Sequence, residues 1–482
     1  MDTLENGHKK IPYEEMKAFQ ERLNEGVRRR GERWTVEGAR GLLAMARSND
    51  PFYAGQEWQR EQAEWFASVF RRLGFEGRRV HVRFVHYVAC GEEPNPTTGE
   101  KQQERLPDGS PYENTEENWQ FIQAASKHAR NMGLIDPRNI VDRRTPRPFL
   151  NAPEEQPPAP GALVVEPSFR LPSIEVDDLE PYQSGGRAYP TGYEYSVAFE
   201  PSLVEMWMEK SLDDADDPLI ETLCEEEGVN LITGIGFMTI SSVYALLERR
   251  AHLEKPLRIL YLSDFDPAGK HMPGAPARHI EFALRNMEEK PDIRLHHLAL
   301  TEDQVTELEL PRIPIKDSDR RKANFEAKHG KGATELNALM LETRRTSTEA
   351  MLRGAIRELR DDALPNRLRA SRWEAQRILD EELSRRLRWP RRALELIEEE
   401  AREVGERYAT ELQELADRLA EEIDPLEERA NRVLHAARRR LAGLEEVELP
   451  EVEGLEPEES ARDWLFDSRR DYLEQLRHYK ER

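Results

Sequence analysis

From residue 203 onward, short apolar runs alternate with amphipathic stretches of helical spacing. Residues 203–210 form an apolar run that ends in an acid, Glu209, and 229–233 and 257–263 form two more. Between them, 212–227 and 238–250 carry helical patterning, and a helix near 275–289 precedes a strand near 293–298. Strands alternating with helices of this length predict a parallel sheet with helices packed on it. Ahead of this block, 58–73 places Ala63, Phe66, Val69, Phe70 and Leu73 on one helical side. A glycine-bearing turn covers 74–77, and 80–89 reads as a second helix. Polar, turn-rich sequence over 91–111 suits a hairpin-like wing, and Asn114 or Thr115 can cap a third helix running to Met132.

The C-terminal quarter has a different pattern. From Leu394 to Leu444 apolar positions recur at steps of three and four in a Glu/Arg-rich background, which predicts a long amphipathic helix or coiled coil. Pro425 after Asp424 suits a helix start, so the run reads as two helices or one kinked rod. Residues 464–479 hold enough aromatics to pack as a final helix. Residues 151–160 are Pro/Glu-rich and too poor in apolar side chains to pack, and 161–199 read as irregular strands leading into the sheet. The expected class is α/β plus all-α. Its parts are an N-terminal helical extension (1–56), a three-helix domain with a wing (57–150), a Pro-rich linker with irregular strands (151–200), a parallel-sheet domain (201–345) and a helical or coiled-coil region (346–482).

Composition changes this picture in three respects. The net charge of −23 is unfavourable for binding DNA, yet residues 1–150 carry 24 Lys/Arg against 23 Asp/Glu while the remainder carries 47 against 71. Basic runs at 28–30, 71–72, 78–79 and 143–144 are candidate phosphate contacts, although isolated pairs are also ordinary solvated surface. No apolar run approaches a membrane span and the N-terminus lacks the apolar core of a signal peptide, which predicts a cytoplasmic protein. Cys90 and Cys224 are too few for a disulfide framework, and neither stands in a metal-like cluster.

The candidate chemistry centres on Leu260-Tyr-Leu-Ser-Asp-Phe-Asp-Pro-Ala-Gly269. Residues two apart on a strand face the same way, so Asp264 and Asp266 are expected on one side where the strand stops. At the carboxyl end of a parallel strand such oxygens suit a hard cation such as Mg²⁺. The plainer reading is an Asx-type turn closing a buried strand. With Glu209 at the end of another strand, three carboxylates converge on one sheet edge and repel unless a cation neutralises them.

The order Glu209-Lys210, Gly234-Ile-Gly-Phe237 and Asp264-Phe-Asp-Pro-Ala-Gly269 resembles a Toprim domain, the Mg²⁺ module of topoisomerases, primases and some nucleases. The local wording is similar to the topoisomerase VI A subunit and its meiotic double-strand-break relative. The resemblance implies a Rossmann-like Toprim domain preceded by a winged-helix DNA-binding domain, with Mg²⁺ (or Mn²⁺) held by Glu209, Asp264 and Asp266. The chain departs from the family at Gly234-Ile-Gly-Phe-Met238, where the family has G-K-G-x-P. The family's active tyrosine stands four residues after an arginine in its winged helix. Tyr87 and Arg83 fall on those positions, with Phe84 in place of the family's usual acid and His86 beside the tyrosine. Residues four apart share a helix face. A half-buried core tyrosine beside a surface arginine is the plainer alternative.

These parts imply DNA cleavage through a phosphotyrosyl intermediate. A phenol, with a pKa of roughly 10, attacks phosphorus only when deprotonated or when its charge is stabilised. Arg83 or His86 can do that, while Mg²⁺ neutralises the phosphate. The resemblance further implies double-stranded DNA as substrate, a nucleoid-associated location and a homodimer in which one subunit's tyrosine meets the other's metal site. No ATPase signature is present in the sequence, so strand passage calls for a separate ATPase (B-subunit-like) partner. Two alternatives stand beside this reading. One is a hydrolytic Toprim nuclease in which water attacks and Tyr87 is structural; the other is a non-catalytic DNA-binding assembly protein. Glu335 is either an ancillary acid or a solvent-facing residue.

Overall fold

The computed structural model describes residues 43–46, 49–52, 57–141, 147–153, 155–171, 181–208, 218–234, 240–251, 255–284, 290–341, 343–408, 416–444, 447–450 and 464–481. The chain forms two units: residues 1–155, 201–360 and 457–482 make the first, and 156–200 with 361–456 make the second. The described helices are α1 (Glu57–Arg72), α2 (Val82–Ala89), α3 (Glu116–Asn131), α4 (Leu219–Glu226), α5 (Ile240–Arg250), α6 (Gly274–Leu284), α7 (Glu302–Glu307), α8 (Lys322–His329), α9 (Arg345–Arg357), α10 (Leu364–Tyr408), α11 (Ala416–Leu441) and α12 (Tyr472–Glu481). The described strands are β1 (Gly161–Val165), β2 (Ser168–Arg170), β3 (Tyr182–Ser184), β4 (Arg187–Thr191), β5 (Leu203–Met208), β6 (Asn230–Thr233), β7 (Leu257–Leu262), β8 (Ile293–Ala299) and β9 (Phe466–Asp467). No described helix is long and apolar enough to cross a membrane.

The first unit is mixed α/β, as the alternation of apolar and amphipathic stretches predicts. Its sheet has the order β6-β5-β7-β8-β9, with four parallel strands and β9 antiparallel to β8. Every residue of β5 and β7 is buried, as central parallel strands covered on both faces require. Met206, Met208, Leu260 and Leu262 pack on one face against Ile220 and Leu223 of α4 and Leu352 and Ile356 of α9. Trp207, Ile259 and Tyr261 pack on the other against Val243 and Leu246 of α5 and Ile280 and Leu284 of α6. Burying each such aliphatic side chain stabilises the fold by about 1.5–3 kcal/mol. Glu205 is the polar exception in β5. Its oxygens accept from Trp207 Nε1 at 2.8 Å, Asn230 Nδ2 at 3.2 Å and Arg249 at 3.1 and 3.0 Å, so the buried carboxylate is partnered.

Helices α1, α2 and α3 close around Phe66, Phe70, Val85, Val88, Ile122 and Ala125. Thr115 caps α3 by accepting the Asn118 N–H at 3.2 Å. Within 91–111, one antiparallel bridge from Arg105 to Pro111 closes a turn in which the Leu106 N–H donates to Ser110 O at 2.8 Å. Phe149 exchanges two backbone hydrogen bonds of 2.9 Å with Leu231, which covers the outer edge of β6.

Helix α6 carries a charge into the apolar interior. Arg278 is fully buried; its Nε lies 3.2 Å from both oxygens of the equally buried Asp50. Its other nitrogens donate to Glu281 at 2.8 Å and to the Tyr472 hydroxyl at 2.9 Å, and its guanidinium lies 4.0 Å from the Phe52 ring centroid. Asp50 also accepts the N–H groups of Ala44 at 2.9 Å, Met45 at 3.1 Å and Phe52 at 3.0 Å. Burial works to lower the Arg278 pKa, but Asp50 and Glu281 outweigh it and hold the guanidinium well above its ordinary value. Burial raises the Glu281 carboxyl against the pull of Arg278. The cluster ties the segment around 44–52, α6 and α12 together.

In the second unit, α10 runs 45 residues and α11 packs antiparallel to it. Leu394, Ile397 and Val404 meet Leu426, Ala430 and Val433, while Leu379, Leu383 and Leu387 meet Ala437 and Leu441. Three expectations change here. Pro425 does not start a helix: it lies inside α11, as Pro390 lies inside α10. Each forfeits a backbone hydrogen bond, and the apolar seam on both sides of it supplies the burial that carries the helix through. Residues 161–191 do not lead into the main sheet. β1 and β4 pair with each other, and Ala162, Val164 and Ala188 pack on Leu379, Leu383 and Leu387. Finally, 464–471 is not helical, because Phe466 and Asp467 pair with Leu295 and Arg294 to add β9 to the first unit's sheet.

Candidate active site

β7 ends at Leu262, and the chain then turns past Gly269. Ser263 still pairs at the sheet edge, donating its N–H to Ala299 O at 2.7 Å and accepting the Leu300 N–H at 2.8 Å. Phe265 exchanges backbone hydrogen bonds of 2.8 and 3.0 Å with Thr334. Asp264 and Asp266 therefore flank a bridge to a later segment. Asp264 is buried, and its Oδ1 accepts the Leu336 N–H at 2.7 Å. Asp266 is half-buried; its Oδ1 accepts the N–H groups of Ala268 at 2.7 Å and Gly269 at 2.5 Å. That is an Asx turn, so the plainer reading of this aspartate is realised whatever else it does. Gly269 is required by close approach: a Cβ there would meet Asp264 O at 2.1 Å. The Ser263 hydroxyl fastens the turn by donating to Gly269 O at 3.0 Å.

Asp266 lines a cleft of about 790 Å³, and Asp264 does not. The other charged walls of that cleft are Glu335, Asp319, Lys316, Arg320 and Arg321. Arg321 pairs with Asp319 through two contacts of 3.0 Å, which holds the Asp319 carboxyl below its ordinary pKa. Asp266 and Glu335 offer the hard oxygen ligands that Mg²⁺ or Mn²⁺ takes. Among the described residues no group of three or more His, Cys, Asp or Glu side chains is placed to hold a metal ion. Glu209, the third expected acid, lies outside the described residues. The strand leading to it ends at Met208, in register with Leu262.

Tyr87 and Arg83 both lie on α2. Tyr87 is half-buried, with its ring centroid 5.6 Å from that of His86. Arg83 is exposed and its guanidinium lies 4.9 Å from the Trp119 ring centroid. His86 is buried and turned inward, its Nδ1 2.7 Å from the Tyr112 hydroxyl and its Nε2 3.0 Å from Asn114 Oδ1. Both groups expected to assist the phenol are thus engaged with other residues. Of the basic runs, Arg72 is paired with Glu104 and Arg71 donates to Leu134 O at 2.6 Å, while Arg78 and Arg79 are exposed. The runs at 28–30 and 143–144 lie outside the described residues, as does Gly236; Gly234 donates its N–H to Met208 O at 2.9 Å.

The sequence reading did not assign Lys316, Arg320 and Arg321 to the site. Its only signal was a Pro-bounded run of mixed charges at 314–320. The Phe265–Thr334 bridge ties the Asp266 turn to the segment that carries Glu335. No protein-family model matches the chain, and no curated protein matches it in sequence.

Proposed function

We propose that the protein is a Mg²⁺- or Mn²⁺-dependent DNA-cleaving protein similar to the topoisomerase VI A subunit. The observation that carries this reading is the cleft in which Asp266 and Glu335 stand beside Lys316, Arg320 and Arg321. Acids suited to a hard cation beside bases suited to phosphate are what cleavage of a phosphodiester needs. In this reading Lys316, Arg320 and Arg321 bind and orient a backbone phosphate. Asp266 would hold the metal together with Glu209, as the resemblance implies, while Asp264, the third acid of that set, is buried on the Leu336 N–H outside the cleft; the metal's charge would offset that of the phosphate. The Tyr87 oxygen bonds to phosphorus, the bond to the leaving sugar oxygen breaks, and the DNA stays joined to the protein as a phosphotyrosine. The working form is a homodimer on double-stranded DNA, with strand passage left to a separate ATPase partner.

Hydrolysis by water, with Tyr87 structural, is the second reading. It is favoured by the placement of Arg83 on Trp119 and of His86 between Tyr112 and Asn114. End-labelled DNA with Mg²⁺ or Mn²⁺ tests both. Asp266→Asn keeps an acceptor for the Asx turn while removing the charge, so cutting should stop with the fold intact. Tyr87→Phe should also stop cutting, and wild-type protein should carry label under denaturing conditions. Free DNA ends together with an active Tyr87→Phe variant select the hydrolase. Wild-type protein that does not cut, or an active Asp266→Asn variant, overturns both readings.

A further inference from the structure

A second cavity, of about 720 Å³, is lined by Phe265, Lys270, His271, His296, Leu300 and Glu302. Beside it runs a chain of three side chains. The Glu302 carboxylate lies 2.7 Å from His329 Nδ1, and His329 Nε2 lies 2.8 Å from Lys270 Nζ. An ammonium only donates, so Nε2 accepts from Lys270 and Nδ1–H donates to Glu302. The imidazole therefore fixes the ammonium in place while using one of its three donors. Gly274, the first residue of α6, also lines the cavity, so the positive end of that helix borders it. Lys270 and Glu302 are the charged side chains on its wall, and burial, followed by Arg321, Lys270 and Lys328, holds His271 below its ordinary pKa. Phe265, Leu300 and Leu465 supply an apolar wall. The volume falls in the range of small-molecule sites, roughly 300–1,000 Å³.

We propose that this cavity binds a phosphorylated small molecule of nucleotide size, its phosphate on Lys270 and its apolar part against Phe265, Leu300 and Leu465. The Glu302–His329 pair acts by positioning the ammonium, and a preorganised donor binds more tightly than a mobile one. The site is separate from the proposed DNA-cleaving cleft, but it adjoins the same turn, because the Lys270 N–H donates to Asp266 O at 3.2 Å.

Calorimetric titration of the full chain with the four nucleoside monophosphates and with inorganic phosphate tests this. At least one nucleotide should bind, more tightly than inorganic phosphate. Lys270→Met should weaken it by roughly tenfold or more, as loss of a charged donor does. His329→Phe, which keeps a ring against Phe265 and Phe325 but removes the nitrogen that holds the ammonium, should weaken it more mildly; it serves as the second variant if Lys270→Met does not fold. Lys316→Ala with Arg320→Ala, in the other cleft, should leave nucleotide binding unchanged. No binding of any probe, binding that both Lys270→Met and His329→Phe leave intact, or phosphate binding with no gain from the nucleoside overturns the proposal. Binding is read without DNA, so its failure is distinguishable from failure of the cleavage reading.

Discussion

Asp50→Ala removes the central carboxylate of a cluster that has no solvent to fall back on. The side chains of Asp50 and Arg278 are both fully buried, so deleting the acid removes one of the two carboxylates, Asp50 and Glu281, that the guanidinium meets among the described residues. It also strips the acceptor from the N–H groups of Ala44, Met45 and Phe52. Breaking one side of a buried pair costs about 3–5 kcal/mol. A cooperative unit of roughly 300 residues has an unfolding entropy of about 0.6 kcal/mol/K, so the melting temperature should fall by about 5–8 °C. Calorimetry at low and high salt is the assay. The drop should persist at high salt, because screening acts weakly on buried charge. Replacing both partners, Asp50→Leu with Arg278→Met, should recover part of the loss, since the stranded guanidinium is then gone and burial, which already raises the Glu281 pKa, lets that carboxyl take up a proton. A shift below about 2 °C for Asp50→Ala, or a double variant no better than the single one, would refute the reasoning, because it would show that the charge is solvated by another route.

Gly269→Ala should lower stability by about 1–3 kcal/mol, the usual cost of overpacking, and should stop DNA cutting, because the Cβ would meet Asp264 O at 2.1 Å and the turn holding Asp266 must move. Thermal melts and the cleavage assay check this, and unimpaired cutting would separate the turn from the site. Burial raises the Glu281 pKa above its ordinary 4.5 in the folded protein, so between those two values the native state holds more proton than the unfolded state. Stability should therefore fall as pH rises through that window, and Glu281→Gln should flatten the slope in denaturation curves taken across it.

The parallel sheet was legible because its strands are short, mostly apolar runs that alternate with longer amphipathic stretches. The Asp264–Gly269 turn was legible as a motif, but its local meaning was not. Only the folded backbone shows that Asp266 Oδ1 is occupied by two N–H groups and that Asp264 faces Leu336. Arg278 went unread because an Arg and a Glu three residues apart on a helix read as an ordinary surface pair and carry no sign of the Asp50 that meets Arg278 from far along the chain. Pro425 misled because proline at a helix start is a local preference, whereas α11 is held by its seam with α10. β1 and β4 fall where irregular strands were expected, but their packing was not legible, because their partners on α10 lie about two hundred residues away.

The short β9 strand has a consequence for how the protein comes to be made. The sheet unit takes its last strand and α12 from residues beyond 456, after the whole of 361–456 has been synthesised. At roughly 5–20 residues per second, the ribosome needs about 5–20 s to pass from Arg360 to Trp464. Throughout that interval the outer edge of β8 has no strand to pair with, and Arg278 has Asp50 but not Tyr472. An open edge of this kind is a template for pairing with another chain. The nascent protein is most exposed to misassembly after most of its sheet has emerged, and the segment that ends the exposure is only a few residues long.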